Sequence, residues 1–142
     1  MLITPNFHFT GQCADAMALY EKALGAQTKY LFHYSQTDPE TLAQWKIPPA
    51  DADRLVYHAE MDIGGQRIIL SDALDGSVSK GHSLSLVVTF ETADAVRRAY
   101  ETLCEGGLLI YPMKTTSYSS CFVSLIDRFG MRWELMTEQT ER

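Results

Sequence analysis

The feature that most constrains this chain is an internal repeat. Ala14-Asp15-Ala16-Met17 recurs as Ala93-Asp94-Ala95-Val96, an offset of 79 residues. Asp62-x-x-Gly65-x-Arg67-x-x-Leu70 recurs as Asp127-x-x-Gly130-x-Arg132-x-x-Leu135, an offset of 65. Two matches in the same order mean two halves of one architecture, a pattern that must be found before any element is assigned. The shorter second offset places an extra segment in the first half. The polar, proline-bearing stretch from Ser35 to Arg54 is the natural place for it.

Each half reads as strand, helix, then three strands. In the first, Ile3–Thr10 alternates like a strand. Ala16, Leu19, Tyr20, Ala23 and Leu24 fall on one helical face, and Gly25 suits a left-handed cap after a helix over 13–24. Gln27–Tyr34 reads as a strand, and Leu55–Asp62 with Gln66–Asp72 as a hairpin about Gly64-Gly65. In the second, Ser83–Phe90 is a strand. Val96, Ala99, Tyr100 and Leu103 line a helix over 93–105 that stops at Gly106-Gly107. Leu108–Met113 follows, then a hairpin of Phe122–Ile126 and Met131–Thr137 about Phe129-Gly130. The expected class is α+β. Two tandem βαβββ modules, about 1–75 and 82–138 within a single domain, form a curved mixed sheet with helices on its convex side.

Composition excludes several functions. A chain of 142 residues, 46% hydrophobic and 21% charged, buries roughly 70% of its unfolded surface without staples. Twelve Lys and Arg against eighteen Asp and Glu give net −6, and Arg97-Arg98 is the sole basic cluster, so no nucleic acid partner is expected. No apolar run approaches the ~18 residues of a membrane span, so no membrane partner is expected either. The start, MLITPNFHFT, lacks the pattern of a secretion signal. Cys13, Cys104 and Cys121 are odd in number and widely spaced, which predicts a reduced, cytoplasmic protein without disulfides.

Strand parity divides each sheet into two faces. Phe7 and Phe9, then Tyr57, Ala59, Met61 and Ile63, belong to the helix side. So do Ile68 and Leu70, then Leu84, Leu86, Val88 and Phe90, and finally Trp133 and Leu135. The other face carries Thr4, Asn6, His8, His58, Glu60, Ile69, Ser71, Ser83, Ser85, Thr89, Arg132, Glu134 and Met136. If Gly64-Gly65 is a two-residue turn, Glu60 lies opposite Ile69 and His58 opposite Ser71. Such a face either meets water or lines a concave pocket.

These stretches resemble a known group. Phe9-Thr10-Gly11-Gln12-Cys13-Ala14-Asp15-Ala16 running into Leu19-Tyr20 and Leu24-Gly25 is one. His58-Ala59-Glu60, Ile63-Gly64-Gly65, Leu70-Ser71-Asp72-Ala73 and Asp127-Arg128-Phe129-Gly130 with Trp133-Glu134 are others. Together they resemble the vicinal oxygen chelate superfamily of glyoxalase I, extradiol dioxygenases and bleomycin-resistance proteins. The detail is similar to its PhnB-like branch, often labelled 3-demethylubiquinone 3-methyltransferase-like. The resemblance implies the tandem βαβββ fold and, in the metal-using members, four His, Gln or Glu ligands from the first and last strands. Here those positions fall on Glu134, on its repeat mate Ile69, and near Thr4 and Ser83. One carboxylate, two hydroxyls and an isoleucine do not hold a first-row metal. No glycine-rich loop for S-adenosylmethionine accompanies the methyltransferase label.

The reading that follows is a protein enclosing a small, partly apolar molecule, with no cofactor and without the usual metal. Asn6, His8, Glu60, Ser71, Ser85, Glu134 and Met136 are its candidate ligand contacts, and His58 its candidate general base if it catalyses. The alternative is a metal-dependent lyase, isomerase or dioxygenase of the glyoxalase or extradiol type, with a displaced site among His8, His58, Glu60 and Glu134. The bland alternative is a solvated polar sheet face. Cys13, near a helix start, is either a low-pKa thiol or a small packing residue. Trp45 lies in the extra segment, where it covers a cavity mouth or a partner subunit. The resemblance also implies a homodimer.

Overall fold

The computed structural model describes residues 1–138. They fall into two compact units, Met1–Ser79 and a second beginning at Lys80. The first contains β1 (Asn6–Phe9), α1 (Cys13–Leu24), β2 (Gln27–His33), α2 (Pro39–Gln44), β3 (Val56–Ile63) and β4 (Gln66–Asp72). The second contains β5 (Leu86–Phe90), α3 (Ala93–Leu103), β6 (Leu108–Lys114), β7 (Phe122–Ile126) and β8 (Arg132–Thr137). Each unit has a four-stranded mixed sheet, ordered β1-β4-β3-β2 and β5-β8-β7-β6. The α+β class and the βαβββ pattern of each half are as the repeat predicts.

In the first unit, α1 buries Ala16, Met17, Leu19 and Tyr20. The sheet answers with Phe7, Phe9, Ala59, Met61, Ile63, Ile68 and Leu70, all buried. Phe7 meets Tyr20 edge-on at 6.2 Å between ring centres. Gly25, at φ +64, ends the helix, and its N–H donates to the Glu21 carbonyl. The second unit packs Val96, Ala99 and Leu103 of α3 with Val123, Leu125, Trp133 and Leu135. Thr92 caps α3, accepting from Ala95 N–H at 3.1 Å.

Acidic side chains tie the turns of both units, and two of them, Asp72 and Asp127, are buried. Asp72 accepts from the N–H groups of Gly11 at 2.8 Å, Cys13 at 3.0 Å and Val56 at 2.9 Å. One carboxylate thereby joins the end of β4 to the start of α1 and to β3. Asp62 accepts from Gly65 N–H at 2.8 Å across the two-residue hairpin turn. Its repeat mate Asp127 accepts from Phe129 and Met131 N–H and, at 2.9 Å, from Trp133 Nε1. Gly65 and Gly130 both hold positive φ, +88° and +94°, so the repeated Asp-x-x-Gly is a turn device.

The extra segment of the first unit is folded. Tyr34, Ile47, Ala52 and Leu55 make a small core of their own, with Leu42 against it. Tyr34 Oη donates to the Asp72 carbonyl at 2.7 Å, fastening this segment to β4.

Several strand expectations need correction. The first strand begins at Asn6 and the fifth at Leu86, later than Ile3 and Ser83. Pairing explains it. Leu86 is already opposite Trp133, next to the β8 start, so Leu84 has no strand beside it and is exposed. Tyr57 is exposed and not on the helix side. The β2–β3 register slips between Phe32–His58 and His33–Val56, leaving Tyr57 as an extra residue. Val56 turns inward in its place, and Tyr57 lies edge-on to Tyr34 at 5.4 Å. The helix of the second unit ends at Leu103, short of 105, because Cys104–Gly106 form a turn with Gly106 at φ +71.

Candidate functional site

The face of the first sheet turned away from α1 is built in rows. Asn6 pairs with Ile69, and Ile69 with Glu60, whose partner on β2 is Tyr30. The next row joins His8 to Ser71, with His58 paired to Phe32. Glu60 is opposite Ile69, as a two-residue turn requires. Asn6 and His8 are exposed on the edge strand, while His58, Glu60 and Ser71 are half-buried.

Glu60 is the centre of this face. Its Oε2 lies 3.1 Å from His58 Nε2, and its Oε1 accepts from Arg67 Nε. The Arg67 hydrogen bond first, then that of His58, pull its pKa down to about 2. Glu60 is therefore a fixed anion at neutral pH and not an acid catalyst. It orients the His58 ring, the arrangement a histidine base needs. Sequence reading overlooked Arg67. It shares parity with Ile69 and is diagonal to Glu60, a contact that cross-strand geometry allows.

Cys13 is no reactive thiol. It is fully buried, and burial, reinforced by the Asp72 carboxylate, raises its pKa. Trp45 lines a recess of about 300 Å³ with Gln44, Lys46, Leu74 and Asp75.

The second sheet presents corresponding rows. Val87, Glu134 and Ser124 are aligned across β5, β8 and β7, and Tyr111 follows on β6. Thr89, Met136, Phe122 and Lys114 form the next row. Asn6 therefore corresponds to Val87, an offset of 81 and not 79. The counterpart of Thr4 becomes Ser85, not Ser83. The two-residue change keeps the same face. Ser85 Oγ donates to Glu134 Oε1 at 2.6 Å.

Over these rows lies a cleft of about 500 Å³. Tyr111, Lys114, Tyr118 and Phe122 line it, with Ser124, Arg132 and Glu134. Phe122 sits edge-on to both tyrosines, at 5.9 and 5.7 Å between ring centres. Lys114 Nζ is 4.6 Å from the centre of the Tyr111 ring. Of the predicted contacts in this unit, Glu134 lines the cleft; Ser85 reaches it through Glu134, and Met136 stands one row along. Ser124 and Phe122 escaped sequence reading, although the last hairpin puts them opposite Glu134 and Met136.

A vicinal-oxygen metal site requires side chains with lone pairs at the first- and last-strand positions. Here Ile69 offers none, and Glu134 is engaged by a serine. Among the described residues no three His, Cys, Asp or Glu side chains are grouped to share a metal.

Comparison with known proteins decides the fold. The PhnB protein from Bacillus cereus superimposes with a TM-score of 0.79 at 22% identity, over 96% of this chain and 99% of that one. A glyoxylase/bleomycin resistance protein/dioxygenase domain from Frankia sp. EAN1pec gives 0.66 at 12% identity, over 100% and 94%. The fold is the vicinal oxygen chelate fold. The resemblance read from the sequence, including its PhnB-like detail, points to these same proteins. In sequence, the chain is 25% identical over 136 residues to Protein YjdN of Escherichia coli (strain K12), spanning 94% of this chain and 92% of that protein. No protein-family model matches the chain. The fold itself specifies no reaction, and function is argued from the site it carries.

Proposed function

We propose that this chain is a PhnB-like vicinal oxygen chelate protein that encloses a small, partly apolar molecule against a sheet face, without the superfamily's usual metal. The cleft over the second sheet carries the reading. Its volume of about 500 Å³ falls in the range of about 300–1,000 Å³ typical of small-molecule sites. Its walls combine three aromatic rings with a few convergent polar groups, the composition such sites have. Ile69 at a liganding position supports the metal-free part.

A homodimer is part of the proposal. Tyr30, Leu31 and Phe32 on β2 and Leu108, Leu109 and Ile110 on β6 are exposed apolar side chains on edge strands. Unpaired apolar edges invite association. Three free cysteines agree with a reducing, cytoplasmic setting. Among the described residues no helix is long and apolar enough to cross a membrane. The His58–Glu60 pair supports a second reading, an enzyme in which His58 is the base.

The test uses the purified full chain. Elemental analysis is expected to find far less than one transition metal per chain. Thermal shift against small, partly apolar compounds is expected to give stabilising ligands whose effect is indifferent to added Zn²⁺, Mn²⁺ or Ni²⁺. Stoichiometric metal, or stabilisation that depends on it, would overturn the metal-free reading in favour of the displaced-site enzyme.

A further inference from the structure

The first sheet holds a histidine with one ring nitrogen engaged and the other left to a guest. His58 Nε2 lies 3.1 Å from Glu60 Oε2, while Glu60 Oε1 accepts from Arg67 Nε. A carboxylate paired with a guanidinium carries no proton, so the hydrogen of the first bond belongs to the histidine. Nε2 donates, and in the neutral ring Nδ1 then bears the lone pair. The His58 side chain is 38% exposed, against 16% for Glu60. The ring is open to a guest while the acid that orients it is covered.

The surroundings of the ring are aromatic and uncharged. His58 lines a recess of about 300 Å³ with Phe32, Gln36, Thr37 and Tyr57. Phe32 is its partner across β2 and β3, and Tyr57 precedes it at the slip in register. Both rings are exposed. Phe32 stacks on Tyr30 at an interplanar angle of 12°, and Tyr57 stands edge-on to Tyr34, contacts that steady each ring. Gln36 Oε1 accepts from His33 N–H at 2.8 Å, which fixes its amide and leaves the NH2 end to donate. Thr37 Oγ1 already donates to the Tyr34 carbonyl. The recess thus combines an acceptor, His58 Nδ1, with a donor, the Gln36 amide, and no Lys or Arg lines it.

We propose that this recess binds a small neutral phenol, its ring against Phe32 and Tyr57 and its hydroxyl donating to His58 Nδ1 and accepting from the Gln36 amide. A hydroxyl is the small group that meets an acceptor and a donor with one atom. A carboxylate would bring lone pairs to a lone pair and lose its hydration without a cation in return. The volume is at the low end of the range of about 300–1,000 Å³ for small-molecule sites, so the guest has one ring. The site shares no residue with the cleft over the second sheet, so this proposal and the binding role of that cleft can fail separately.

The probes are phenol, anisole and benzoate, titrated into the full chain near pH 8 and followed by amide NMR shifts. At about this pH an ordinary histidine is neutral and a phenol keeps its proton. Phenol is expected to move the signals of Phe32, Tyr57 and His58 and to bind about tenfold tighter than anisole, which lacks the donor, or benzoate. His58→Ala should reduce phenol to the affinity of anisole and leave anisole unchanged. Imidazole ¹⁵N shifts of His58 should show hydrogen on Nε2 and a lone pair on Nδ1, with Nδ1 the nitrogen that phenol moves. Glu60 acts here as a positioning residue, so Glu60→Gln should mix the two tautomers and weaken phenol while leaving anisole as it was. Anisole binding as tightly as phenol, or hydrogen found on Nδ1 in the wild type, would overturn the hydroxyl assignment. If phenol leaves the Phe32, Tyr57 and His58 signals in place, the recess is no phenol site and the proposal fails outright.

Discussion

Replacing Asp72 tests how the first sheet is held, and its cost can be worked from the geometry. Asp72 Oδ1 serves Gly11 and Cys13, and Oδ2 serves Val56. The side chain is 2% exposed, and the Cys13 and Val56 bonds are buried. Asp72→Ala strands two buried N–H groups and one partly buried. At about 1–3 kcal/mol for each of the two buried donors left unsatisfied, the loss is about 2–6 kcal/mol, to which the partly buried Gly11 bond adds a smaller amount. Asp72→Asn can keep an oxygen toward Gly11 and Cys13 but turns an NH2 toward Val56 N–H. One donor is then lost, at about 1–3 kcal/mol. Against a domain stability of about 5–15 kcal/mol, the alanine variant is near the edge of folding and the asparagine variant is not. Urea unfolding followed by circular dichroism measures both, and amide exchange should accelerate at Val56 in both variants but at Cys13 in alanine alone. A loss within about 1 kcal/mol for Asp72→Ala, or equal losses for the two variants, would refute the reasoning.

Other outcomes follow from the same contacts. Arg67→Gln removes the strongest influence holding the Glu60 pKa near 2, so a carbon-detected carboxyl titration should find it moved up toward its ordinary 4.5; a value still near 2 would assign the effect elsewhere. The linkage sign follows. A depressed carboxylate contributes stability fully present above about 4.5 and lost as pH falls toward 2, so wild type should hold an advantage over the variant above about 4.5 that shrinks as pH falls toward 2 in acid-unfolding curves. Gly107→Ala would drive a Cβ into the Ile126 carbonyl oxygen, so thermal unfolding should show a loss of about 1–3 kcal/mol, against no comparable loss for Gly81→Ala, where a Cβ meets open space.

The fold was legible because the repeat carried its own turn chemistry. Asp62 with Gly65, and Asp127 with Gly130, are the residues that close each hairpin, so the pattern located the strands flanking them. Strand parity then placed Glu60, Ser85 and Glu134 on the polar faces. It failed at Tyr57, because alternation carries no notice of an extra residue in a strand. It also failed at Leu84, because a strand ends where its neighbour does. The cleft was the least legible part. Ser124 looks like any small residue in an apolar strand, and only the register of β7 on β8 sets it opposite Glu134. Lys114 and Tyr118 join it from a strand end and a loop, whose positions no periodicity specifies.

The strand order has a consequence for how the molecule comes into being. In each unit the last strand made is an inner one, seated between the first strand and the third. Among the described residues, β1 has β4 as its sole neighbour within its sheet, and β5 has β8 within its own. A nascent chain that has emerged through β3 therefore holds Phe7 and Phe9 on a strand with nothing to pair to, and the same is true of Val88 and Phe90 until β8 follows. Long-range parallel closure of this kind is slow relative to hairpin formation. A message truncated just before Arg132 would not produce a slightly shorter protein. It would release a chain whose second sheet has lost its central strand and whose fifth strand is free, the kind of unpaired edge on which aggregation begins.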